Sequence, residues 1–311
     1  MNLIQAKEDF KRHLTVKGWV KATLGSYERV LGRLLRFLGE RKVEDTSQVT
    51  KAILGDFQEA EKERLSPKGL PLAIHTVNTH LLMVRLFFRY LREEGVLWSD
   101  PAREMTLMKE PKTLPRTFLT SREAGKILEC PDTTTALGYR DRCILEVLYS
   151  TGIRRSELNN LKVADLDLEG GFLRVNLGKG GKDRVVPLGR VACRYLTCYL
   201  AGVRPMFLRK DPGLPWLFIS KKGGRMSSMV ARGVVRRYTQ AAGVMKKVTP
   251  HTFRHTCATL MLKNRANIRH VQELLGHASL ETTKVYTAVT VTDLKEIHRR
   301  CHPREKERGV Q

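Results

Sequence analysis

Ile74, Val77, Leu81, Val84, Phe88 and Leu91 recur at three- and four-residue intervals among polar side chains. That spacing follows the turn of an α-helix and predicts one near Ile74 to Glu94, with a single apolar face. Leu24, Tyr27, Leu31, Leu34 and Leu38 repeat the pattern near Thr23 to Arg41. Shorter helices are expected at Leu3 to Leu14 and Val49 to Arg64, so residues 1–95 read as an all-helical unit. The outer faces carry a second regularity. Arg29, Arg33 and Arg36 fall at i, i+4, i+7 on one long helix, and Arg85, Arg89 and Arg92 do so on the other. Such rows can face phosphates or simply water.

The basic excess bounds the partner. A net charge of +24 and a pI of about 10.1 point to a polyanion, and nucleic acid suits a charge this large. Residues 201–250 concentrate it, with eleven Lys or Arg against the acid Asp211. Val230 to Ala242 reads as a helix with Val234, Val235 and Tyr238 apolar, and it carries Arg232, Arg236 and Arg237. This block is the candidate DNA-tracking surface. Lys7, Glu8 and Asp9 interrupt any leader-like run, and even LLMVRLFF is broken by Arg85, so neither a signal peptide nor a membrane span is expected. The six cysteines include no CxxC pair and read as reduced thiols of a cytoplasmic protein.

Pro101, Pro111 and Pro115 punctuate a stretch without a long apolar period, so residues 96–115 are expected as a linker. Thirteen of these residues, extended, would reach about 40 Å, enough to pass beside a DNA duplex. Thr120 and Glu123 have capping-box spacing ahead of a helix over Ala124 to Leu128. Tyr139 to Tyr149 reads as a buried helix, stopped by Gly152, which turns Arg154 outward. Phe172 to Leu177 and Arg184 to Leu188 read as strands around a Gly-Lys-Gly-Gly turn. The fold class is therefore mainly α with a small β-sheet.

The chemistry is concentrated in His251 to Tyr286. Thr249-Pro250 starts a helix that carries His251 and Arg254. Asn264 offers a stop and Asn267 a new cap, followed by a helix with Ile268, Val271 and Leu275 inward and Gly276 at its end. His277 follows directly, and a third short helix capped by Ser279 carries Tyr286. A tyrosine hydroxyl is a weak nucleophile at neutral pH unless a base takes its proton, and histidine suits that exchange. Arginine matches phosphate oxygens. Together these groups suit attack of Tyr286 on a phosphodiester.

HTFRH, then LLGHAS, then VYT resemble the C-terminal signature of the tyrosine recombinases, also called the phage integrase family. Arg140 to Leu161 resembles the first arginine box of that family, and Gly178 to Gly189 resembles its lysine hairpin. The resemblance runs from about Leu14 to Pro303 and is closest to the Xer-type subgroup. It implies a helical, SAM-like core-binding domain at 1–95, the linker at 96–115 and a mixed α/β catalytic domain at 116–311. It implies a catalytic set of Arg154, Lys179, His251, Arg254, His277 and the nucleophile Tyr286, with Lys182 as the rival lysine. Arg155 stands where the family varies, and Glu157 would support Arg154. Tyr286 would form a 3′-phosphotyrosyl link while the lysine protonates the leaving 5′ oxygen. A 5′ hydroxyl of the partner duplex would then reverse the step. The ester keeps the bond energy, so no cofactor, metal or ATP is expected.

The same resemblance implies a tetramer on two double-stranded DNA sites, made of this chain alone or with a related recombinase. No membrane and no small-molecule substrate are expected. No arm-binding domain of the lambda type and no integron-type insertion is evident, which favours a simple recombinase. Leu294, Ile297 and Cys301 form a short apolar stripe after a Thr292 cap, and so short a helix must dock, either on its own catalytic domain or, as the resemblance implies, on a neighbouring protomer. The rival readings are a type IB topoisomerase and a DNA-binding regulator with a dead site. A metal-dependent nuclease fits least, since no carboxylate cluster accompanies the histidines.

Overall fold

The computed structural model describes residues 1–111, 117–176, 183–208, 211–276 and 291–306. The chain divides into two compact units, Met1–Leu114 and Pro115–Gln311.

The first unit is helical throughout its long elements: α1 (Leu3–Val16), α2 (Lys21–Glu40), α3 (Lys51–Glu63) and α4 (Ile74–Glu93). The apolar stripes read from the sequence meet in one core. Leu31, Leu34 and Leu38 of α2 face Leu81, Val84, Phe88 and Leu91 of α4, all essentially inaccessible to solvent. Each such side chain contributes about 2 kcal/mol by leaving water. Phe10 of α1 closes one side edge-on to Tyr27 and Phe87, with ring centroids 5.7 and 5.5 Å away.

Packing in this unit continues past residue 95. Ala102 and Met105 join the core. The Asn78 side chain pairs with the main chain of Met108 in both directions at 2.9 Å, and Gln58 donates to the Thr106 carbonyl at 3.1 Å. The stretch up to Glu110, expected as connector, is instead laid on α3 and α4. A buried amide on a helix can imitate a neighbouring strand, and periodicity carries no sign of it.

The second unit begins with α5 (Ser121–Glu129), closed at its N-terminus by the expected Thr120–Glu123 capping box. Next, α6 (Ala136–Thr151) runs through the core, buried on nearly every side. Its charged residues are paired inside: Arg140 with Asp141 at 2.7 Å, and Arg142 with Glu146 at 2.9 Å. Then come α7 (Arg155–Asn160) and a three-stranded antiparallel sheet of β1 (Leu166–Asp167), β2 (Phe172–Val175) and β3 (Arg184–Pro187). The expected hairpin is the β2–β3 pair, registered Leu173 opposite Val186 and Val175 opposite Arg184. It flanks residues 177–182. α8 (Arg190–Cys198) passes through a π-helical turn at Tyr199–Val203 into α9 (Arg204–Phe207). α10 (Ser228–Ala241) matches the helix expected from Val230.

α11 (Pro250–Lys263) and α12 (Ile268–Leu275) follow the punctuation in the sequence. Thr249 accepts from the Thr252 N–H, Asn264 closes α11, Asn267 accepts from the Arg269 N–H, and Gly276 ends α12 at φ +62°. Ile268 departs from expectation. It is 57% exposed, while Val271, Leu274 and Leu275 are buried, because it stands on the first residue of α12, beyond the surface that the helix covers.

α13 (Val291–Cys301) and α14 (Pro303–Lys306) complete the unit. Thr292 lies inside α13 rather than at its cap. In this chain these helices are seated on their own unit, one of the two docking places expected. His298 Nε2 meets the Ser150 carbonyl at 2.7 Å and His302 Nε2 that of Tyr149 at 2.9 Å. Arg304 pairs with Glu146 at 2.8 Å, and Glu305 accepts from the Arg190 N–H at 2.7 Å. Ile297 and Cys301 of the expected apolar stripe pack against Cys257, Met261, Val271 and Leu275, and the polar contacts join the two helices to α6 and α8. Among the described residues no helix is long and apolar enough to cross a membrane.

Candidate active site

The site is built around the end of α6. Gly152 adopts φ +61°, and a Cβ there would come within 2.8 Å of Leu275 Cδ2. Only glycine lets the chain turn at this point against α12. The turn buries Ile153 and makes Arg154 the residue preceding α7. Glu157, one turn on, accepts the Arg154 main-chain N–H at 2.7 Å and its Nη1 at 2.8 Å. The other terminal nitrogen of Arg154 donates to the Gly276 carbonyl at 2.8 Å.

Arg254 arrives from α11. Its Nη1 donates to the Gly152 carbonyl at 2.8 Å and its Nη2 to that of Leu275 at 2.5 Å. Arg184, at the start of β3, donates through Nε to the Leu274 carbonyl at 3.2 Å. Three guanidinium groups thus close on three successive carbonyls, Leu274, Leu275 and Gly276, the last before His277. A helix C-terminus leaves such carbonyls unpaired and carries the negative end of the helix dipole, so cations gather there.

The electrostatics follow from burial and pairing. Burial opposes a charge on Glu157, but hydrogen bonds from Arg184 and Arg154 hold its carboxyl down to about 2. Arg254 is 7% exposed. Burial, and then the nearby charge of Arg154, push its guanidinium down to about 10. It remains a cation at neutral pH. The pocket therefore holds a surplus of positive charge where a phosphate could be received.

His251 stands in the first turn of α11 and is exposed. Lys179, its rival Lys182, His277 and Tyr286 lie outside the described residues. The structure brings Arg154 and Arg254 together with Glu157, residues that the resemblance grouped. It adds Arg184, which no motif singled out. The one trace of it in the sequence is an arginine opening the apolar strand Val185-Val186-Pro187.

The candidate DNA-contacting arginines divide. In the first unit Arg36, Arg89 and Arg92 are exposed, and Arg85 is half-buried. Arg29 folds back on the Gly25 carbonyl at 3.2 Å. Arg33 is corrected. Its guanidinium is locked two-pronged onto the buried Glu61 at 2.8 and 3.1 Å, with Arg64 and His80 on the same carboxylate. A regular arginine row cannot tell which member meets an acid from another helix. In the second unit Arg232 and Arg236 are exposed on α10, whereas Arg237 leans on the buried Asp141 at 3.4 Å. Among the described residues no group of three or more His, Cys, Asp or Glu side chains is gathered to hold a metal ion.

Comparison with known proteins identifies the family. Residues 117–292 match the phage integrase family. A tyrosine recombinase XerD of Listeria innocua is 36% identical over 300 residues, covering 96% of this chain and 98% of its own. A tyrosine recombinase XerC of Thermodesulfovibrio yellowstonii is 38% identical, over 88% of this chain and 97% of its own. Among solved structures, a lambda integrase fragment bound as a dimer to a core site has the same fold at a TM-score of 0.67. It is 20% identical and covers 92% of this chain and 100% of its own. With its helical architecture, small sheet and paired arginines, the chain belongs to the phage integrase family and is a tyrosine recombinase.

Proposed function

We propose that Arg154, His251, Arg254, His277, Lys179 and Tyr286 carry the strand exchange of this site-specific recombinase on double-stranded DNA. Tyr286 Oη attacks the scissile phosphorus and passes its proton to a histidine. The bond to the 5′ oxygen breaks, and that oxygen takes a proton from Lys179. Arg154 and Arg254 neutralise the charge that builds on the non-bridging oxygens, where preorganised cations favour the transition state over the ground state. A 5′ hydroxyl from a second duplex then attacks the phosphotyrosyl link and regenerates Tyr286. Both residues 1–95 and residues 116–311 would contact the duplex, with Arg36, Arg85, Arg89, Arg92, Arg232 and Arg236 toward phosphates. The acting form is a tetramer on two sites, in the cytoplasm on the nucleoid.

The observation that carries this reading is the closure of Arg154 and Arg254 on the Leu275–Gly276 turn, one residue before His277. A Tyr286→Phe variant tests it. The ring stays and the hydroxyl goes, so the variant should bind its site normally and form no covalent DNA adduct. An adduct at the wild-type level would overturn the assignment of the nucleophile. Two-site plasmids separate recombination from relaxation by their products.

A further inference from the structure

Arg184 is not among the residues that the motifs assign, yet it shares a carboxylate with one of them. Glu157 Oε1 accepts from Nη1 of Arg154 at 2.8 Å and from Nη1 of Arg184 at 3.0 Å. Oε2 accepts the Arg154 main-chain N–H at 2.7 Å and Arg184 Nη2 at 2.9 Å. Arg184 also rests on the end of α12. Its Nε reaches the Leu274 carbonyl at 3.2 Å, and a Cβ on Gly276 would come within 3.0 Å of its Cδ. The arginine side chain is 13% exposed and Glu157 is 4% exposed, so water does little to loosen the pair.

This sharing constrains Arg154. A carboxylate that meets a lone arginine takes it with two parallel bonds. Here Arg184 already holds Glu157 in that mode. Arg154 gives the carboxylate one terminal nitrogen and keeps the other for the Gly276 carbonyl. The charge balance points the same way. Among the described residues three guanidinium groups and one carboxylate leave two positive charges here, and removing Arg184 would leave one. Glu157 would then be free to draw Arg154 into a closed pair.

We infer that Arg184 is a positioning residue for strand cleavage: by occupying Glu157 and bracing Leu274–Gly276, it keeps Arg154 and Arg254 available to a phosphate. The inference rests on the roles proposed above for Arg154, Arg254 and Tyr286. A simple strut would matter equally whatever charge the reacting group carries. A residue that acts through the arginines matters only while there is charge for them to neutralise.

The test compares two duplexes in single-turnover cleavage by the full chain. One carries the ordinary scissile phosphodiester. The other carries a methylphosphonate, in which a neutral methyl replaces one charged non-bridging oxygen. Arg184→Ala should slow cleavage of the phosphodiester by about 10²-fold, the cost of misplacing groups that stabilise the transition state. On the methylphosphonate it should remain within a few-fold of the wild-type protein, as should Arg154→Ala. Adding Glu157→Gln to Arg184→Ala should recover part of the rate lost on the phosphodiester, because it removes the charge that would capture Arg154. Arg184→Lys keeps the charge but not the two-pronged grip. It should show the same dependence on substrate with a smaller loss, and it provides the reading if the alanine variant does not fold. Equal slowing on both duplexes, or wild-type rates on the phosphodiester for both variants, would overturn the inference. If the wild-type protein formed no Tyr286 adduct on the phosphodiester, the proposed function would fail first, and this inference with it.

Discussion

Glu157 Oε2 accepts the main-chain N–H of Arg154 at 2.7 Å while Oε1 accepts the guanidinium of the same residue at 2.8 Å. One carboxylate therefore caps α7 and orients the arginine that α7 presents. Glu157→Gln should cost about 3 kcal/mol of stability, since it leaves buried guanidinium groups without their counter-charge. The loss should depend on pH. The native carboxyl is held down to about 2, below its ordinary value of 4.5. Its contribution is complete above that ordinary value and disappears as the pH falls toward the native one. Denaturant unfolding at a series of pH values checks this: the wild-type and Gln proteins should converge in acid. A gap that stays constant down to the lowest pH would show that the charge is not the cause.

Arg154→Ala and Arg254→Ala should each slow formation of the covalent adduct by about 10²-fold, the scale of losing one transition-state donor. Half-site affinity should change far less, because many other cations hold the duplex. Single-turnover rates and binding isotherms on the same labelled duplex separate the two effects. A loss of affinity that accounts for the whole rate defect would make these arginines anchors rather than catalysts.

Arg33 and Arg36 lie one turn apart on α2 but should behave differently. Arg33→Ala strands the buried Glu61, whose carboxyl is held down to about 2, against burial, by His80 and Arg33. It should destabilise the protein by about 3 kcal/mol. Arg36→Ala should leave stability unchanged and reduce the slope of log K against log salt by about 0.9, the mark of one phosphate contact. Melting curves and titrations at several salt concentrations distinguish the two. An unchanged melting temperature for Arg33→Ala would place that guanidinium on the DNA instead.

The seating of α13 and α14 should loosen in mild acid. His298 and His302 stack at 4.5 Å with their rings nearly parallel, and both are buried. Burial lowers the tendency of each to take a proton, with His298 adding to the effect at His302, against Glu305 near His298 and alongside Arg304 near His302. The native values lie below the ordinary 6.5, so the unfolded chain binds more protons in acid. The contribution is therefore whole above that pH and is lost as the pH falls below it. Hydrogen exchange of residues 295–305, corrected for the intrinsic pH effect, should speed up between about pH 7 and pH 5. Exchange that keeps its protection over that range would show that the two rings do not hold the helix.

Strand cleavage should survive chelation, because the proposed chemistry takes its positive charge from arginine and its protons from lysine and histidine. Loss of adduct with a chelator, restored by added magnesium, would contradict the mechanism.

Helix positions were set by local signals. The repeats on α2 and α4, the Thr249-Pro250 start of α11, and the glycines at 152 and 276 each act within a few residues, so the sequence alone determined where these elements begin, face and end. The reactive residue types and their order were legible for the same reason. The contacts that give those residues their environment join distant parts of the chain. Glu157 meets Arg184 across 27 positions, Arg254 meets Gly152 across 102, and Glu305 reaches Arg190 across 115. Charge pairing depends on distance in space and on burial, and neither has a period in sequence. Local punctuation therefore determined the helices and the cast of candidate residues. Only the tertiary structure decided that Arg33 serves Glu61, that the last helices seat on their own unit, and that Arg184 joins the arginine pocket.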